Sequence, residues 1–521
     1  MKFSVPKNIL LMIACFLLLD TLNQVQTLMF STLAEVITEM NNHTLMNHFG
    51  LEPTETRLAM MNSIMTTTHE IGNALSIIFL LPVADYKGRT FAAIHLRFGI
   101  TIAVAVCQLL AAWFQASEIY ILGQFILGFT FCLRTFGTQI FILECAPDNC
   151  RGFASTALIF SFVFGKLIMF STSSPSLLGT SSLWFIFPLF VMISSVVVYI
   201  LLLRFPDSPK WLVQQKRVAE AIDAIRFYHG AESKIYETVN NVIKENSLTK
   251  ENKLSLKQVW ENDTLRQSCL IILANMMFMQ FDTSYVLSIY TIMFHNQAGF
   301  TTQMAMNINL IITIVLLPTK FVGTILLDTL GRRPTFFIAG IMQYTKSILI
   351  FATSIIIFIS GSSLITQIMY LGVEFLAVLV PATGVNSILV LFVSELFPPS
   401  ARTSVGQAMM FGSMLINTPI VSVFPIVNSI FPPIFFVPFV ITQVIFGIYL
   451  YRNMPETRGR AVYDIIESMD NEVGSRAASI LDEKLPLIRN RARTLASKRN
   501  SILNIERSRA VTFDHKFTPE N

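Results

Sequence analysis

The chain has 521 residues, of which 53% are hydrophobic and only 14% charged, and its formal net charge at pH 7 is +5. Soluble proteins carry about 25% charged residues, and most of the charges here lie in two stretches, 205–267 and 452–521. The rest of the chain has too few charges to cover a water-exposed surface, which excludes a cytosolic enzyme, a nucleic-acid-binding module and a secreted domain. The sequence therefore predicts an integral membrane protein.

Twelve apolar stretches follow one another along the chain. A helix needs about 20 mostly apolar residues to cross a hydrocarbon core of about 30 Å. Spans 1 to 12 are predicted at 8–33, 58–84, 93–115, 119–143, 153–177, 183–204, 268–294, 305–327, 335–358, 364–394, 403–427 and 431–451. Each span is predicted to be an α-helix, because a backbone inside lipid must satisfy its own hydrogen bonds.

Basic residues between the spans predict the orientation. They gather on one side of the membrane, at Lys2, Lys7, Lys87, Arg89, Arg151, Arg332, Arg333 and Arg402. This side is cytoplasmic by the positive-inside rule, so both termini are predicted to lie inside. We expect a multi-pass protein located in the plasma membrane. The sequon Asn42-His43-Thr44 falls in the longest outside loop, so Asn42 is a candidate glycosylation site.

Three short motifs occur once in each half of the chain, in the same order and always on the cytoplasmic side. The first, D-x-x-G-R, comprises Asp85, Gly88 and Arg89 after span 2, and Asp328, Gly331 and Arg332 (followed by Arg333) after span 8. The second, E-x-x-P-x-x-x-R, comprises Glu144 and Arg151 after span 4, and Glu395 and Arg402 after span 10. The third places Pro206-Asp207-Ser208 after span 6 and Pro455-Glu456-Thr457 after span 12.

This duplication predicts an all-α fold of two pseudo-symmetric six-helix bundles. The bundles are 1–204 and 268–451, joined by a charged, helical cytoplasmic connector at 205–267 and followed by a largely disordered tail at 452–521. Repeated halves around a central site are typical of secondary transporters. In D-x-x-G-R the acid is expected to pair with a nearby base or with a helix N-terminus of the other half. In E-x-x-P-x-x-x-R the Glu and the Arg are expected at adjacent helix ends. Several such pairs acting together could bias one state of a two-state protein. Basic residues that serve only to orient the chain are the alternative.

The motifs resemble those of the major facilitator superfamily, in the branch of sugar porters and organic ion transporters. PDSPKWLVQQKRVAEAI at 206–222, SELFPPSART at 394–403 and MPETRGR at 454–460 carry the resemblance, which spans about residues 8–460. It implies alternating access, with spans 1, 4, 7 and 10 around a central cavity and with the duplicated motifs latching the cytoplasmic side. Gln124 stands where this branch usually has Arg, the loop at 34–57 is short and free of Cys, and acids associated with organic cation binding are absent from spans 10 and 11.

Ionisable residues inside the spans are costly to bury, so they are candidate transport residues. Asp20 in span 1 and Arg134 in span 4 are expected at similar depth and facing each other, as a pair that exchanges partners when a proton or substrate arrives. Further candidates for the cavity are Asn23, Gln24, Gln139, Asp282, Tyr285, Glu374 and Asn386. A structural role is the alternative for each of them. Four acids (Asp20, Glu70, Asp282, Glu374) balance four bases (Arg134, Lys166, Lys320, Lys346), so the charge of a substrate is not predicted.

Together these features predict a transporter of a small polar organic solute. An organic ion is favoured over a sugar or polyol, H⁺ is a candidate coupled ion, and a single chain is expected to function as a monomer, without nucleic acid. The chain has no G-x-x-x-x-G-K-[ST] loop and no Cys or His at metal-ligand spacing, so neither a cofactor nor a metal is expected, nor enzymatic activity. A receptor that keeps the transporter fold without transport is the competing class.

Overall fold

The computed structural model describes residues 6–147, 150, 154, 157–158, 160–230, 235, 239, 254–321, 326, 329–458 and 468. Throughout these residues the secondary structure is helical, without a strand. Eight helices of the described chain are each long and apolar enough to cross a membrane. Bent or shorter apolar helices supply the remaining spans, and the predicted all-α, twelve-span fold is confirmed.

The helix bounds follow the predicted spans closely. Spans 1 to 6 are Lys7–Thr32, Glu55–Lys87, Phe91–Phe114, Ser117–Cys145, Phe160–Thr172 and Ile186–Leu202. Spans 7 to 12 are Asp263–Gln280 with Thr283–Ile289 and Thr291–Ala298, then Thr302–Val315, Arg332–Ser360, Leu364–Ala382 with Val385–Glu395, Pro399–Ile430 and Pro432–Asn453. Span 7 begins five residues before the predicted position, because the side chain of Asn262 caps its N-terminus by accepting from Leu265 N at 3.1 Å.

Span 7 is interrupted inside the membrane. Asp282 has extended backbone angles, φ −101° and ψ 131°, and the helices on its two sides are bent by 40°. The break frees backbone carbonyl groups, which in lipid need other donors. Gln343 Nε2 donates to Phe278 O at 3.0 Å and Gln443 Nε2 to Phe281 O at 2.7 Å. Side chains of spans 9 and 12 therefore stabilise the bent helix.

The two faces of the helical bundle differ. The duplicated motifs lie on one face, which we call the latch face and define by Arg89 and Arg332; the opposite face is the far face. The helix Ala34–Asn47 lies on the far face. Two connector helices, Pro209–Gln214 and Val218–His229, pack under the first half, whereas Leu256–Glu261 packs against spans 7 and 11 of the second. These are the short helices that the sequence predicts for the connector.

The sequon at Asn42 lies inside a helix, not in the loop that we predicted. The hydroxyl of Thr44 is buried, accepts from Ser117 N at 2.9 Å and lies 3.2 Å from Gln115 O. The Asn42 Oδ1 atom is itself inaccessible to solvent. This environment disfavours glycosylation of the folded chain.

Candidate functional site

The first latch joins the motifs that follow spans 2, 4 and 6. Arg89 Nε donates to Glu144 Oε2 at 3.2 Å, and Arg89 Nη1 to Asp85 Oδ1 at 2.5 Å. Ser208 Oγ donates to Glu144 Oε2 at 2.5 Å. Arg89 is buried whereas Asp85 is largely exposed. Three motifs that are far apart in the sequence thus converge on one arginine.

The second latch repeats this arrangement. Arg332 Nη2 donates to Glu395 Oε1 at 2.9 Å, and Thr457 Oγ1 to Glu395 Oε2 at 2.5 Å. Arg333 Nη2 donates to the carbonyl of Tyr451 at 2.8 Å. Arg402 Nε donates to Phe397 O at 3.0 Å, which fixes the turn before span 11.

In each latch, a glycine with positive φ leaves room for an acidic side chain. Gly88 has φ +111° and Gly331 has φ +98°, and residues other than glycine rarely adopt such backbone angles. A Cβ atom would lie 2.3 Å from Asp207 Oδ2 at the first position and 2.8 Å from Glu456 Oε2 at the second. Each acid instead accepts hydrogen bonds from the backbone that follows, Asp207 from Arg89 N at 3.0 Å and Glu456 from Arg332 N at 3.0 Å. The glycine is therefore required at both turns.

The surroundings in each latch shift the pKa of one ionisable side chain. Burial lowers the pKa of Arg89, but Glu144 and Asp85 outweigh it, so the pKa of Arg89 is raised. Partial burial raises the pKa of Glu456, but hydrogen bonds from the backbone N–H groups after it and at Arg332 and Arg333 outweigh burial, so the pKa of Glu456 is lowered. The charged form of each group is favoured.

Each latch lies within one half, whereas we also expected acids to contact helices of the other half. Among the described residues, no ion pair or hydrogen bond joins the two halves at the latch face. Arg151 and Asp328, which were predicted to belong to the latches, lie outside the described residues.

A cavity in two lobes lies between the halves. The large lobe has a volume of about 560 Å³ and is lined by spans 5, 7, 8, 10 and 11. The small lobe has a volume of about 220 Å³ and is lined by spans 1, 2, 4, 5 and 7. Phe162, Tyr285 and Ser288 line both lobes and form a shared wall. Cavities of this size hold small organic molecules.

Asp20 is paired with Arg97 of span 3, so the predicted pairing with Arg134 is wrong. Arg97 donates to the Asp20 carboxylate, to Asn23 Oδ1 at 2.6 Å and to Thr138 Oγ1 at 2.8 Å. Arg97 is completely buried, and Asp20 and Asn23 are buried with it inside the first half. Neither Asp20 nor Asn23 lines a lobe of the cavity. The charge balance inferred from the sequence also omitted Arg97, which adds a fifth base to the spans.

Asp282 is paired with Lys346 of span 9. Lys346 Nζ donates to Asp282 Oδ1 at 2.5 Å and to the hydroxyl of Ser284. Lys346 is fully buried, whereas the Asp282 side chain is 16% exposed and lines the large lobe. The predicted position of Asp282 in the cavity is therefore found, with a partner that the sequence did not identify.

Two further acids accept hydrogen bonds from tyrosines. Tyr285 Oη, in the second half, donates to Glu70 Oε1 at 2.6 Å, in the first half. Tyr370 Oη donates to Glu374 Oε1 at 2.7 Å. Glu70 and Tyr285 line the small lobe, and Glu374 lines the large one. The Glu70–Tyr285 bond, which directly connects the halves across the cavity, was not expected from the sequence.

Of the remaining residues that were predicted to line the cavity, some line it and one does not. Gln24 and Arg134 line the small lobe, as expected. Gln139 is exposed and lines neither lobe, because it lies on another side of span 4. The side chain of Asn386 lies outside the described part of the structure.

The halves are joined by hydrogen bonds in the middle of the membrane and towards the far face. Ser63 donates to the carbonyl of Ser422, and Tyr290 Oη to Thr66 Oγ1 at 3.1 Å. The pairs Glu35–Thr302 and Ser174–Gln303 add to this closure. Towards the latch face the halves instead meet through an apolar cluster that includes Ile77 and Met414. The polar closure therefore lies on the far-face side of the cavity.

The described residues contain no group of three or more His, Cys, Asp or Glu side chains arranged to hold a metal ion. The six cysteines are all free thiols.

Comparisons with known proteins agree with this architecture. Residues 12–468 match the family described as Sugar (and other) transporter. The chain is 24% identical over 428 residues to the Major myo-inositol transporter IolT of Bacillus subtilis (strain 168), covering 80% of this chain and 88% of that protein. It is 23% identical over 412 residues to the Solute carrier family 2, facilitated glucose transporter member 2 of Gallus gallus, covering 78% and 76% respectively.

Solved structures share the fold. The proton:xylose symporter XylE bound to 6-bromo-6-deoxy-D-glucose superposes with a TM-score of 0.65 at 17% identity, covering 88% of this chain and 98% of that one. An inward open conformation of the xylose transporter XylE from E. coli gives a TM-score of 0.66 at 16% identity, covering 87% and 99%. Since the family match also extends over well more than half of its length, the chain belongs to the sugar (and other) transporter family, and its fold is that of the major facilitator superfamily symporter named above.

Proposed function

We propose that the chain carries a small polar organic solute across the plasma membrane by alternating access, as a monomer. The observation that supports this most is the polar cavity between the halves, which inter-half hydrogen bonds close towards one face. A rocking motion that breaks these bonds and brings the two latches together would expose the cavity to the other side.

The latch face is assigned to the cytoplasm, because the basic residues of the inter-span segments gather there. Both termini then lie in the cytoplasm, and the far face is extracellular. The conformation described here corresponds to a state that is closed to the outside.

The solute is proposed to be hydroxylated. The relatives named above are a myo-inositol and a glucose transporter, which favours the sugar or polyol alternative over the organic ion that the sequence favoured. The large lobe offers amide and hydroxyl groups, from Gln280, Ser288, Asn309 and Thr313, that suit several hydroxyl groups of one solute.

The test is solute flux in proteoliposomes, with a panel of labelled sugars, polyols and organic acids. Uptake that exceeds protein-free vesicles and saturates with solute concentration is expected. Ser288→Trp, which fills the wall shared by the lobes, should abolish uptake, whereas Ile368→Trp on the exposed side of span 10 should not. Saturable binding of a solute without flux would instead identify the receptor class.

Proton coupling is a second, separate proposal. Asp20 is a buried carboxyl group whose partner, Arg97, has alternative acceptors in Asn23 and Thr138, so protonation need not leave the arginine without hydrogen bonds. Asp20→Asn is expected to abolish uptake driven by a pH gradient while solute exchange continues. Unchanged proton dependence would remove Asp20 from the mechanism.

A further inference from the structure

Arg134 and Lys166 differ from the other charged groups of the cavity region, because each of the others has a short polar partner. The completely buried bases Arg97 and Lys346 pair with Asp20 and Asp282. By contrast, neither Arg134 nor Lys166 forms an ion pair or hydrogen bond with any residue that the structure describes. The Lys166 ammonium group lies 5.1 Å from the ring centroid of Phe162.

The acids of the cavity are satisfied without these two cations. Glu70 accepts hydrogen bonds from Tyr285 and from Asn73, the latter at 3.3 Å, and Glu374 accepts from Tyr370. Each of the two carboxylates thus already has a donor, whereas the two cations have no hydrogen-bond acceptor among the described residues. Among the described charged groups of the cavity, the ones without a hydrogen-bond or ion-pair partner are therefore cations, for which a carboxylate of a solute is a fitting acceptor.

The backbone directs Arg134 towards the cavity. It lies in a π-helical segment of span 4, Leu133–Thr138, and such wide turns occur frequently at functional sites. Its side chain lines the small lobe beside Gln24, Glu70 and Tyr285. A guanidinium group inside the membrane without a partner is costly, and a carboxylate bound by its planar pair of donors would offset that cost.

A second unmet group lies across the shared wall. Asn417 lines the large lobe, its side chain is 94% buried, and its Oδ1 atom has no hydrogen-bond partner among the described residues. This atom accepts hydrogen bonds only, so a hydroxyl group of a solute fits it. The small lobe thus contains a guanidinium group without an acceptor among the described residues, and the large lobe contains an amide oxygen without a donor among them.

We propose that the transported solute is a small hydroxylated carboxylate, a sugar acid in chemical class, whose carboxylate binds Arg134 and whose hydroxyl groups reach the large lobe. This rests on the proposed transport function. It unites the sugar-type fold with the organic ion that the sequence favoured. Lys166, on the other side of Phe162, adds positive potential without a fixed contact.

Two pairs of probes differ only in the acid group: D-glucose against D-glucuronate, and D-glucitol against D-gluconate. Uptake into proteoliposomes is measured at zero membrane potential for the wild type, Arg134→Gln, Arg134→Lys and Lys257→Gln. Lys257 is a highly exposed lysine outside the cavity, and its replacement removes the same charge. The wild type should carry at least one acid roughly tenfold faster than its neutral counterpart, since a charge-assisted bidentate pair contributes at least that discrimination.

Arg134→Gln should lower the ratio of acid uptake to neutral uptake roughly tenfold or more. Arg134→Lys should be intermediate, and Lys257→Gln should match the wild type. Preference of the wild type for the neutral probes would overturn the proposal while transport itself stands. Equal loss of acid and neutral uptake in Arg134→Gln would also overturn it, since Arg134 would then act in the conformational cycle.

If no probe is transported, that result contradicts the proposed transport function but not the carboxylate site. A binding measurement then tests the site by itself. The thermal midpoint of the purified protein is measured with each probe. A rise with an acid probe that is absent with its neutral counterpart and absent in Arg134→Gln supports the site. The same midpoint with all four probes in the wild type would overturn it.

Discussion

The ion pair between Asp20 and Arg97 makes the sharpest stability prediction. The Arg97 side chain is 0% exposed and that of Asp20 is 4% exposed. Replacing Arg97 with Gln leaves a buried carboxylate without its cation, which costs about 3–5 kcal/mol of unfolding free energy. The double variant Arg97→Gln/Asp20→Asn removes both charges and should cost clearly less than the sum of the two single variants.

The assay is SDS-induced unfolding of the purified protein in mixed micelles, for the wild type, both single variants and the double variant. Arg266→Gln is the matched control. Arg266 pairs with Asp263 at 2.7 Å, but both side chains are substantially exposed, at 44% and 68%. Exposed pairs contribute about 0–1 kcal/mol. If Arg97→Gln costs no more than Arg266→Gln, or if the two single effects simply add, the reasoning from burial is refuted.

Three further predictions concern the latches and the cavity. The folded-state pKa of Glu456 is lowered from 4.5, so its contribution to stability is present above the unfolded pKa and is lost as pH falls through the folded pKa. The difference in thermal midpoint between the wild type and Glu456→Gln should therefore shrink in acid. A difference independent of pH would contradict this. Cysteines placed at the exposed positions Tyr86 and Leu330 should react with an impermeant thiol reagent from the same side of the membrane, and labelling from opposite sides would contradict the duplicated architecture. Tyr285→Phe removes the hydroxyl that joins the halves. The variant Ser288→Cys should therefore be labelled faster from the far face when it also carries Tyr285→Phe than when it keeps Tyr285. An equal rate would show that this hydrogen bond does not keep the far-face side closed.

Several residues of the repeated motifs lie together in the structure, as their local chemistry favours. The glycines at 88 and 331, the arginines after them and the acids at 144 and 395 recur at similar separations in both halves. Turn geometry restricts the first residue type and charge pairing restricts the others. The sequence left open whether the acids contact groups of their own half or of the other half, since spacing gives no information about contacts between bundles.

The partner of Asp20 was missed for a different reason. Counting residues along a helix gives depth in the membrane but not the direction in which a side chain points. Arg134 therefore satisfied the depth criterion as a partner. Arg97 lies near the latch-face end of span 3, where the positive-inside rule alone accounts for a basic residue. The rotation of span 4 about its axis decides which groups the Arg134 side chain faces, and no sequence pattern indicates this rotation. Span 4 contains a π-helical segment.

The duplication extends into the membrane, and there the two halves differ. Each half pairs an acid of its first span with a base of its third, Asp20 with Arg97 and Asp282 with Lys346. The two bases are 249 positions apart, as are Asp207 and Glu456, but the two acids are 262 apart.

The shift of the second acid places it at the break in span 7, whereas the first lies inside the continuous helix Lys7–Thr32. As a result Asp282 reaches the cavity and Asp20 does not. Of the two related pairs, the one in the second half can therefore contact a solute directly, and the one in the first half can respond to a solute only through movement of the helices that carry it.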